Sequence, residues 1–373
     1  MRAVVKSSSR PVRRAARGSI SADAALERVA RAADALRRGR PVTLAAAKGL
    51  SVLAVETASQ ATLSKLAARG DAMLLLTHAR ARTLKIRLYT PDAVALPLPR
   101  KARIEELRAI ADPTADLDFP LKGPFAARRE KLPMGSAAAL KLAKLAGLLP
   151  AVVVRRGASG GAIELSPKDV ETFDEETVRT LKIVARARVP LEGAERSELI
   201  AFRSGEGGPE HYAIMIGAPA RDRAVLTRLH SECFTGDLLG SLKCDCGSQL
   251  RGAVKALARA GGGVLLYLAQ EGRGIGLINK LRAYRLQDQG FDTMEANERL
   301  GFEADERLYG IAAKMLSLLG YRSVKLLTNN PDKVAALRKA GVTVAARMRH
   351  AFPQNAHNRA YLKTKAEKGG HLF

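Results

Sequence analysis

The stretch LRGAVKALARA (250–260), GGG (261–263) and VLLYL (264–268) decides the fold class. Its first part repeats apolar residues at helical spacing, and the glycines suit the left-handed backbone on which helices end. The last five residues form an apolar run of strand length. A helix, a glycine stop and a buried strand in that order are what an α/β protein is built from.

The alternation continues in both directions. Downstream, Leu281 to Gln289 reads as a helix ended by Gly290, and Asp305 to Leu319 as a helix with an acidic first turn, stopped at Gly320. Val324 to Leu327 reads as a buried strand, and Pro331 opens a further helix at a position suited to its missing N–H. Upstream, Tyr212 to Ile216 and Glu198 to Phe202 read as strands around a turn at Gly205 to Gly208. Before them come a helix around Val178 to Ala185, a strand at Ala151 to Val154 and a helix at Ala137 to Leu148. Ala72 to Leu76, Leu50 to Val55 and Pro41 to Leu44 have strand character. Ser21 to Arg38 is a helix with Leu26, Val29, Ala33 and Leu36 on one face, whereas residues 91–134 carry few periodic cues. The expectation is an α/β (α+β) protein of two domains, each a mixed sheet with flanking helices. A basic flexible tail (1–20), an N-terminal domain (21–184) and a C-terminal domain (185–373) follow from it.

At 373 residues with 47% apolar content, the chain can build two cores. No run of eighteen uncharged apolar residues occurs, so a membrane span is not expected. The 62 Lys and Arg against 37 Asp and Glu leave a net charge of +25, which calls for an anionic partner. A nucleotide triphosphate meets that need as well as a nucleic acid does. With 4% aromatics and no Trp, base stacking on a single strand is disfavoured, and nucleic acid is not the expected partner. Arg2, Lys6, Arg10, Arg13, Arg14 and Arg17 crowd the N-terminus without an acid and read as a tail rather than a transit segment. No secretory apolar core is seen, which places the protein in the cytoplasm.

All three cysteines fall between positions 233 and 246, with the spacing C-x10-C-x-C. Thiolates are soft, strong zinc ligands. Cys244 and Cys246 can reach one ion from a tight loop while Cys233 arrives from a neighbouring element. Three protein ligands leave one tetrahedral position for water, the arrangement of a catalytic zinc. His230 would instead close the site as a fourth ligand, and three ordinary buried thiols are the plainer alternative.

These residues belong to longer motifs. Arg228-x-His-Ser-Glu-Cys-x-Thr-Gly-Asp (228–237), Cys-Asp-Cys-Gly-x-Gln (244–249) and Gln-Glu-Gly-Arg-Gly-Ile-Gly-Leu (270–277) resemble GTP cyclohydrolase II. The likeness runs on through Tyr284 to Gly290, Asp292-Thr293, Ala304 to Arg307, Leu327 to Pro331 and Thr364 to Lys368. It implies zinc on Cys233, Cys244 and Cys246. It also implies GTP contacts from Arg228, Leu229, His230, Ser231, Glu232, Gln249, Glu271, Gly272, Arg273, Thr293, Thr328 and Lys333. Asp305 would accept a proton, Arg307 would act on the α-phosphate as nucleophile or as clamp, and Tyr284 would line the ring-opening site. Mg²⁺ would bridge the phosphates, and a homodimer is implied. The expected reaction opens the guanine ring of GTP, releasing formate and pyrophosphate in the first step towards riboflavin.

Residues 21–184 resemble the dihydroxybutanone-phosphate synthase domain often fused ahead of this cyclohydrolase, through Asp34 to Val42 and Ala137 to Val152. Where that chemistry needs an acidic metal-binding loop, this chain has Ala45-Ala46-Ala47-Lys48-Gly49. Where it needs Gly-His-Thr, Gly135-Ser136-Ala137 stands instead. The expectation is a non-catalytic domain serving dimerisation or stability. The competing picture for the whole chain is an inactive, basic zinc protein that binds nucleotides or nucleic acid in a regulatory role.

Overall fold

The computed structural model describes residues 13–373 except 47, 161, 369, 371 and 373. Residues 1–12 of the expected tail and Ala47 of the altered loop lie outside the described residues. The helix that begins the fold, α1 (Arg13–Arg37), starts earlier than Ser21, so the tail does not extend to residue 20. Ala and Arg are strong helix formers, and the pattern of 13–20 simply joins that of 21–37.

In chain order β1 (Val42–Leu44), β2 (Leu50–Ala54), α2 (Gln60–Ala67), β3 (Met73–Leu76) and α3 (His78–Thr83) follow. Then come β4 (Val94–Pro97), α4 (Ile104–Ala111), α5 (Ser136–Leu145), β5 (Ala151–Arg156), β6 (Ile163–Leu165), α6 (Pro167–Glu171) and α7 (Phe173–Thr180). Six strands form one mixed sheet in the order β4-β3-β5-β2-β1-β6, antiparallel except for the β1–β6 pair. Both faces are covered. Val52, Ala54, Val152 and Val154 point towards α1 and α5, where Val29, Leu36 and Leu142 meet them. Leu53, Leu74, Leu76 and Val153 point the other way. This explains why β2 and β3 read as continuous apolar runs rather than alternating ones.

The second half begins with β7 (Lys182–Arg188), β8 (Ser197–Arg203), β9 (His211–Gly217) and β10 (Val225–Ser231). It continues through α8 (Cys246–Arg259), β11 (Gly262–Leu268), α9 (Gly276–Asp288), α10 (Thr293–Arg299) and α11 (Tyr309–Leu319). It ends with β12 (Ser323–Leu327), α12 (Pro331–Lys339), β13 (Thr343–Met348) and α13 (Arg359–Glu367). Seven strands form the second mixed sheet in the order β13-β12-β10-β11-β9-β8-β7. Its first four strands are parallel and the rest antiparallel. The fold is thus mixed α/β with two sheets and flanking helices.

Two expected helices are corrected. Val178 to Ala185 is not one helix: α7 stops at Thr180, and Lys182 onwards is strand, paired antiparallel to β8 from Lys182↔Arg203 to Arg188↔Glu198. Asp305 to Leu319 is helical only from Tyr309. The amides that a helix would use are spent elsewhere: Glu306 N–H donates to Arg273 O, and Arg307 N–H to Asp305 Oδ1 at 3.1 Å. Asp305 and Arg307 therefore sit in irregular backbone, and a helix-dipole role for Asp305 does not apply.

Helices of the second half share a core with the first sheet. Ile275, Ala283 and Leu286 of the α9 region, Ala296 of α10, and Leu300 and Phe302 beyond it pack with Leu53, Val55 and Leu107 of the first half. Removing that much apolar surface from water favours their docking by several kcal/mol in all, at roughly 25 cal/mol per Å².

Candidate active site

Strands β12, β10 and β11 lie side by side and parallel, so their carboxyl ends open on the same side of the sheet. In open α/β sheets ligands bind outside those ends. β10 delivers Ser231, Glu232 and Cys233, β11 delivers the turn Glu271–Gly274, and β12 delivers Thr328, Asn329 and Asn330. Asn330 caps α12, its side chain accepting from Asp332 N–H at 2.8 Å, and Pro331 takes the first helical position.

The sulfurs of Cys233, Cys244 and Cys246 lie within 4.8 Å of one another, the one such group of potential ligands among the described residues. Cys233 Sγ and Cys244 Sγ are 3.7 Å apart. A tetrahedral zinc with Zn–S of about 2.3 Å would set sulfurs about 3.8 Å apart, so the donor set fits zinc. Cys233 precedes a single π turn at Phe234–Leu238, and Cys246 begins α8. Gly236 within that turn is required: a Cβ there would meet Cys244 Sγ at 2.7 Å, Cys246 Cβ at 2.9 Å and Cys233 Sγ at 3.0 Å. Instead its N–H donates to Cys233 Sγ at 3.3 Å. Hydrogen bonds from the Cys244 and Cys246 thiols, then burial working against them, then the Lys280 ammonium set the Cys233 thiol far below its ordinary range. The same contact with Cys233 pushes Cys244 up to about 11.

His230 does not join the sulfurs. Its Nε2 faces the Asp237 carboxylate at 3.0 Å, and its ring stacks on Tyr267. Asp237 also accepts from Tyr267 OH and from Cys233 N–H, both at 3.0 Å. The candidate metal ligands brought together here are therefore the three sulfurs alone.

Above the sulfurs the pocket wall is cationic. Arg228, Arg273, Arg307, Lys333 and Lys365 all line it. Lys333 is buried and donates to Leu229 O at 3.1 Å. Burial, with Arg307 and Arg228 close by, depresses its pKa well below the ordinary lysine value. Arg228, lowered to about 10 by burial despite Asp245, donates to Leu327 O at 2.9 Å and to Gln249 Oε1. Its Nε, the His230 Nδ1 and the Ser231 Oγ are buried without a hydrogen-bond partner among the described residues. Buried cations and orphaned polar atoms around one cavity are a site prepared for a polar, anionic ligand.

The Glu271–Gly274 turn presents Arg273 from a left-handed backbone, with φ of 62° at Gly272 and 64° at Arg273. Glu271 staples it: Oε1 accepts from Gly272 N–H at 2.8 Å and from Lys280 Nζ at 2.8 Å, while Oε2 accepts from Phe234 N–H at 2.6 Å. Tyr284, one helical turn after Lys280, approaches Thr235 Oγ1 at 3.4 Å, and burial raises its pKa.

Asp305 binds the Arg307 guanidinium through both oxygens. Burial alone would raise the Asp305 carboxyl, but Arg307 outweighs it and holds it below its usual range. Burial works against Arg307 too, yet Asp305 raises its pKa above the ordinary arginine value.

Of the residues singled out in the sequence, Arg228, His230, Ser231, Glu232, Gln249, Glu271, Gly272, Arg273, Tyr284, Thr293, Arg307, Thr328, Lys333 and the three cysteines line one pocket. Leu229 does not: its side chain is in the core and only its carbonyl faces Lys333. Asp305 stands behind Arg307. The structure adds Lys280, Asn297, Asn329, Tyr361 and Lys365 to the wall. Lys365 pairs with Asp245 at 2.9 Å, between two of the cysteines. The i,i+4 spacing of Lys280 and Tyr284 was a readable signal for the first of these. Nothing local marks Lys365.

Three clustered cysteine sulfurs in a pocket lined by cations, at the ends of parallel strands, define an enzyme site. Residues 182–349 match the family model described as GTP cyclohydrolase II. The chain is 48% identical over 366 residues to GTP cyclohydrolase-2 of Azospirillum brasilense, covering 94% of this chain and 95% of the relative. Over 190 residues it is 54% identical to GTP cyclohydrolase-2 of Pseudomonas syringae pv. tomato, covering 51% of this chain and 92% of the relative. Among solved structures, a two-domain 3,4-dihydroxy-2-butanone 4-phosphate synthase from A. baumannii overlaps 87% of this chain and 99% of its own, loosely, at 16% identity and a TM-score of 0.31. The chain belongs to the GTP cyclohydrolase II family.

Proposed function

We propose that the protein hydrolyses GTP to 2,5-diamino-6-(5-phospho-ribosylamino)pyrimidin-4(3H)-one, formate and pyrophosphate, the first step of riboflavin biosynthesis. The observation that carries this reading is the three-sulfur cradle at the floor of a pocket walled by buried cations. Cys233, Cys244 and Cys246 would hold zinc, which supplies hydroxide near neutral pH by lowering the pKa of its water to about 7. Arg228, Arg273 and Lys333 take the triphosphate, and Mg²⁺ bound with it would supply further charge neutralisation. Their mutual repulsion in the free site makes a polyanion the natural ligand. Ser231, Glu232, Gln249, Thr293 and Thr328 orient the nucleoside, and Tyr284 stays a neutral phenol beside the ring being opened.

Asp305, held ionised by Arg307, accepts a proton during hydrolysis. Arg307 is a phosphate clamp rather than a nucleophile in this reading. Asp305 stabilises its charged form, and a guanidinium attacks nothing until it has lost a proton.

Two domains are proposed, expected at 21–184 and 185–373, with the division set before β7 so that this strand stays with its sheet; the first is descended from a synthase and non-catalytic. In support, Gly135 lies against the Leu44 side chain, so the altered Gly135-Ser136-Ala137 and the end of β1 come together. A homodimer is proposed as well. Leu238, Leu239 and Leu242 are 70%, 64% and 58% exposed beside the site, which favours coverage by a second subunit. No helix among the described residues is long and apolar enough to cross a membrane, in keeping with a proposed cytoplasmic location.

The test is GTP turnover by zinc-loaded protein, following formate, pyrophosphate and pyrimidine absorbance, with Cys244→Ser alongside. All three products from the parent and no formate from the variant is the expected result. Zinc binding with GTP left intact would overturn it.

A further inference from the structure

The segment that carries Asp305 and Arg307 is tied to the first half of the chain. Residues 303–308 have no regular secondary structure, and their backbone is held by a few specific bonds. Glu306 takes part in two of them. Its N–H donates to Arg273 O at 3.0 Å, and its Oε1 accepts from Glu303 N–H at 2.9 Å. Arg273 Nη1 returns a bond to Ala304 O at 3.3 Å. Gly274, at φ 95°, lets the two segments touch: a Cβ there would stand 2.7 Å from Glu306 O. The phosphate-facing turn and the Asp305–Arg307 segment are thus one unit, with Glu306 as its hub.

The same Glu306 Oε1 is gripped at 2.5 Å by Lys144 Nζ, from the last turn of α5 in the first half. Among the described residues this is the one ion pair Lys144 makes. Both side chains are 22% exposed, so the pair is screened less than a surface one. The ammonium also lies 5.8 Å from the centre of the Phe302 ring, which is itself buried in the shared core. Neighbouring contacts make the surroundings firm. Thr77 Oγ1 donates to Gly301 O at 2.9 Å, and Asn279 Nδ2 donates to Gly147 O at 3.1 Å. Arg282 bridges Glu56 at 2.9 Å and Asp112 at 3.1 Å.

We propose that Lys144 is a positioning residue for the reaction: it fixes Glu306 and, through it, the Asp305–Arg307 clamp and Arg273. This rests on the roles given above to Asp305 and Arg307. It assigns the first half a share in catalysis without chemistry of its own. Lys144 touches no substrate; it restricts where the clamp can be. A displacement of about 1 Å in such a group can cost two orders of magnitude in rate.

The experiment uses the full-length, zinc-loaded protein and compares Lys144→Met and Lys144→Arg with the parent. It records kcat and KM for GTP, zinc content, Tm, and amide hydrogen exchange across 303–307. Expected for Lys144→Met is a fall in kcat of about tenfold or more, with KM, zinc content and Tm little changed and faster exchange in 303–307. Lys144→Arg should restore most of kcat, because it keeps a cation within reach of Glu306. Unchanged kcat and exchange in Lys144→Met would overturn the proposal, as would a loss that follows Tm or zinc content and is not rescued by arginine. A parent that leaves GTP intact would instead overturn the cyclohydrolase reading, and the exchange data would still report whether Lys144 holds the segment.

Discussion

The Asp305 carboxylate grips the Arg307 guanidinium as a fork, Oδ1 to Nε at 2.7 Å and Oδ2 to Nη2 at 2.6 Å. Arg307 N–H at 3.1 Å and Tyr309 OH at 3.0 Å add two more bonds to the carboxylate. A bidentate pair fixes the plane of the guanidinium as well as its place, which an ammonium cannot reproduce.

Arg307→Lys should therefore keep the charge and lose the function. Turnover is expected to fall by roughly 10²–10³, the scale of removing one oriented donor from a developing charge. Separate assays of formate and pyrophosphate will show which step suffers. Equal turnover in parent and variant would rule out the fork as the reason for arginine here.

Gly236 offers a test of the metal cradle that leaves every sulfur in place. A Cβ at this position collides with all three cysteines, so Gly236→Ala should spread them and weaken zinc binding. Lys280→Met removes the ammonium 3.1 Å from Cys233 Sγ and should weaken it as well. Each loss is expected to be about 10–100-fold, as for other groups that support metal ligands. Competition with a chromophoric chelator measures it, and unchanged affinity in Gly236→Ala would mean the cradle does not hold the metal.

GTP binding should take up protons. Lys333 is buried among cations and its pKa lies well below the ordinary value, so part of the free protein carries it neutral as pH rises. A triphosphate beside it restores the preference for the charged form. Calorimetry in buffers of different ionisation enthalpy will reveal proton uptake that grows towards alkaline pH and is lost in Lys333→Met. Proton release, or no dependence on the buffer, would contradict this.

Acid stability should depend on His211. Burial lowers its pKa from 6.5 to about 4, and its Nδ1 accepts from Ala269 N–H at 3.1 Å, a bond only the neutral ring can make. As pH falls, the unfolded chain takes up this proton first. The stabilisation is complete above pH 6.5 and is lost progressively down to about pH 4. The loss amounts to about 3 kcal/mol. His211→Asn, which keeps an acceptor and does not titrate, should flatten that limb of the stability curve in chemical denaturation. An unaltered slope would show that His211 is protonated in the fold.

Much of this was legible in the chain. The spacing of Cys233, Cys244 and Cys246 within fourteen residues specified a three-sulfur site, because a tight loop brings such neighbours together wherever it folds. Gly320 after α11 and Pro331 at the start of α12 marked helix ends through backbone rules that act over a few residues. The apolar runs of β2, β3, β11 and β12 declared buried strands for the same local reason. What stayed hidden depends on distant partners. Residues 303–308 have helical composition, yet their amides go to Arg273 and to their own carboxylates, and no local periodicity records that choice. β7 is a strand because β8 offers it hydrogen bonds, although the preceding residues extend a helical pattern. Lys365 is a site residue only because the fold sets α13 against Asp245, at the start of α8. Lys144 reaches Glu306 only because the apolar faces of α9 and α10 are buried against the first sheet. Motif spacing and caps follow from covalent neighbours; the assembly of the site and its anchoring to the first half follow from which apolar faces had to leave water together.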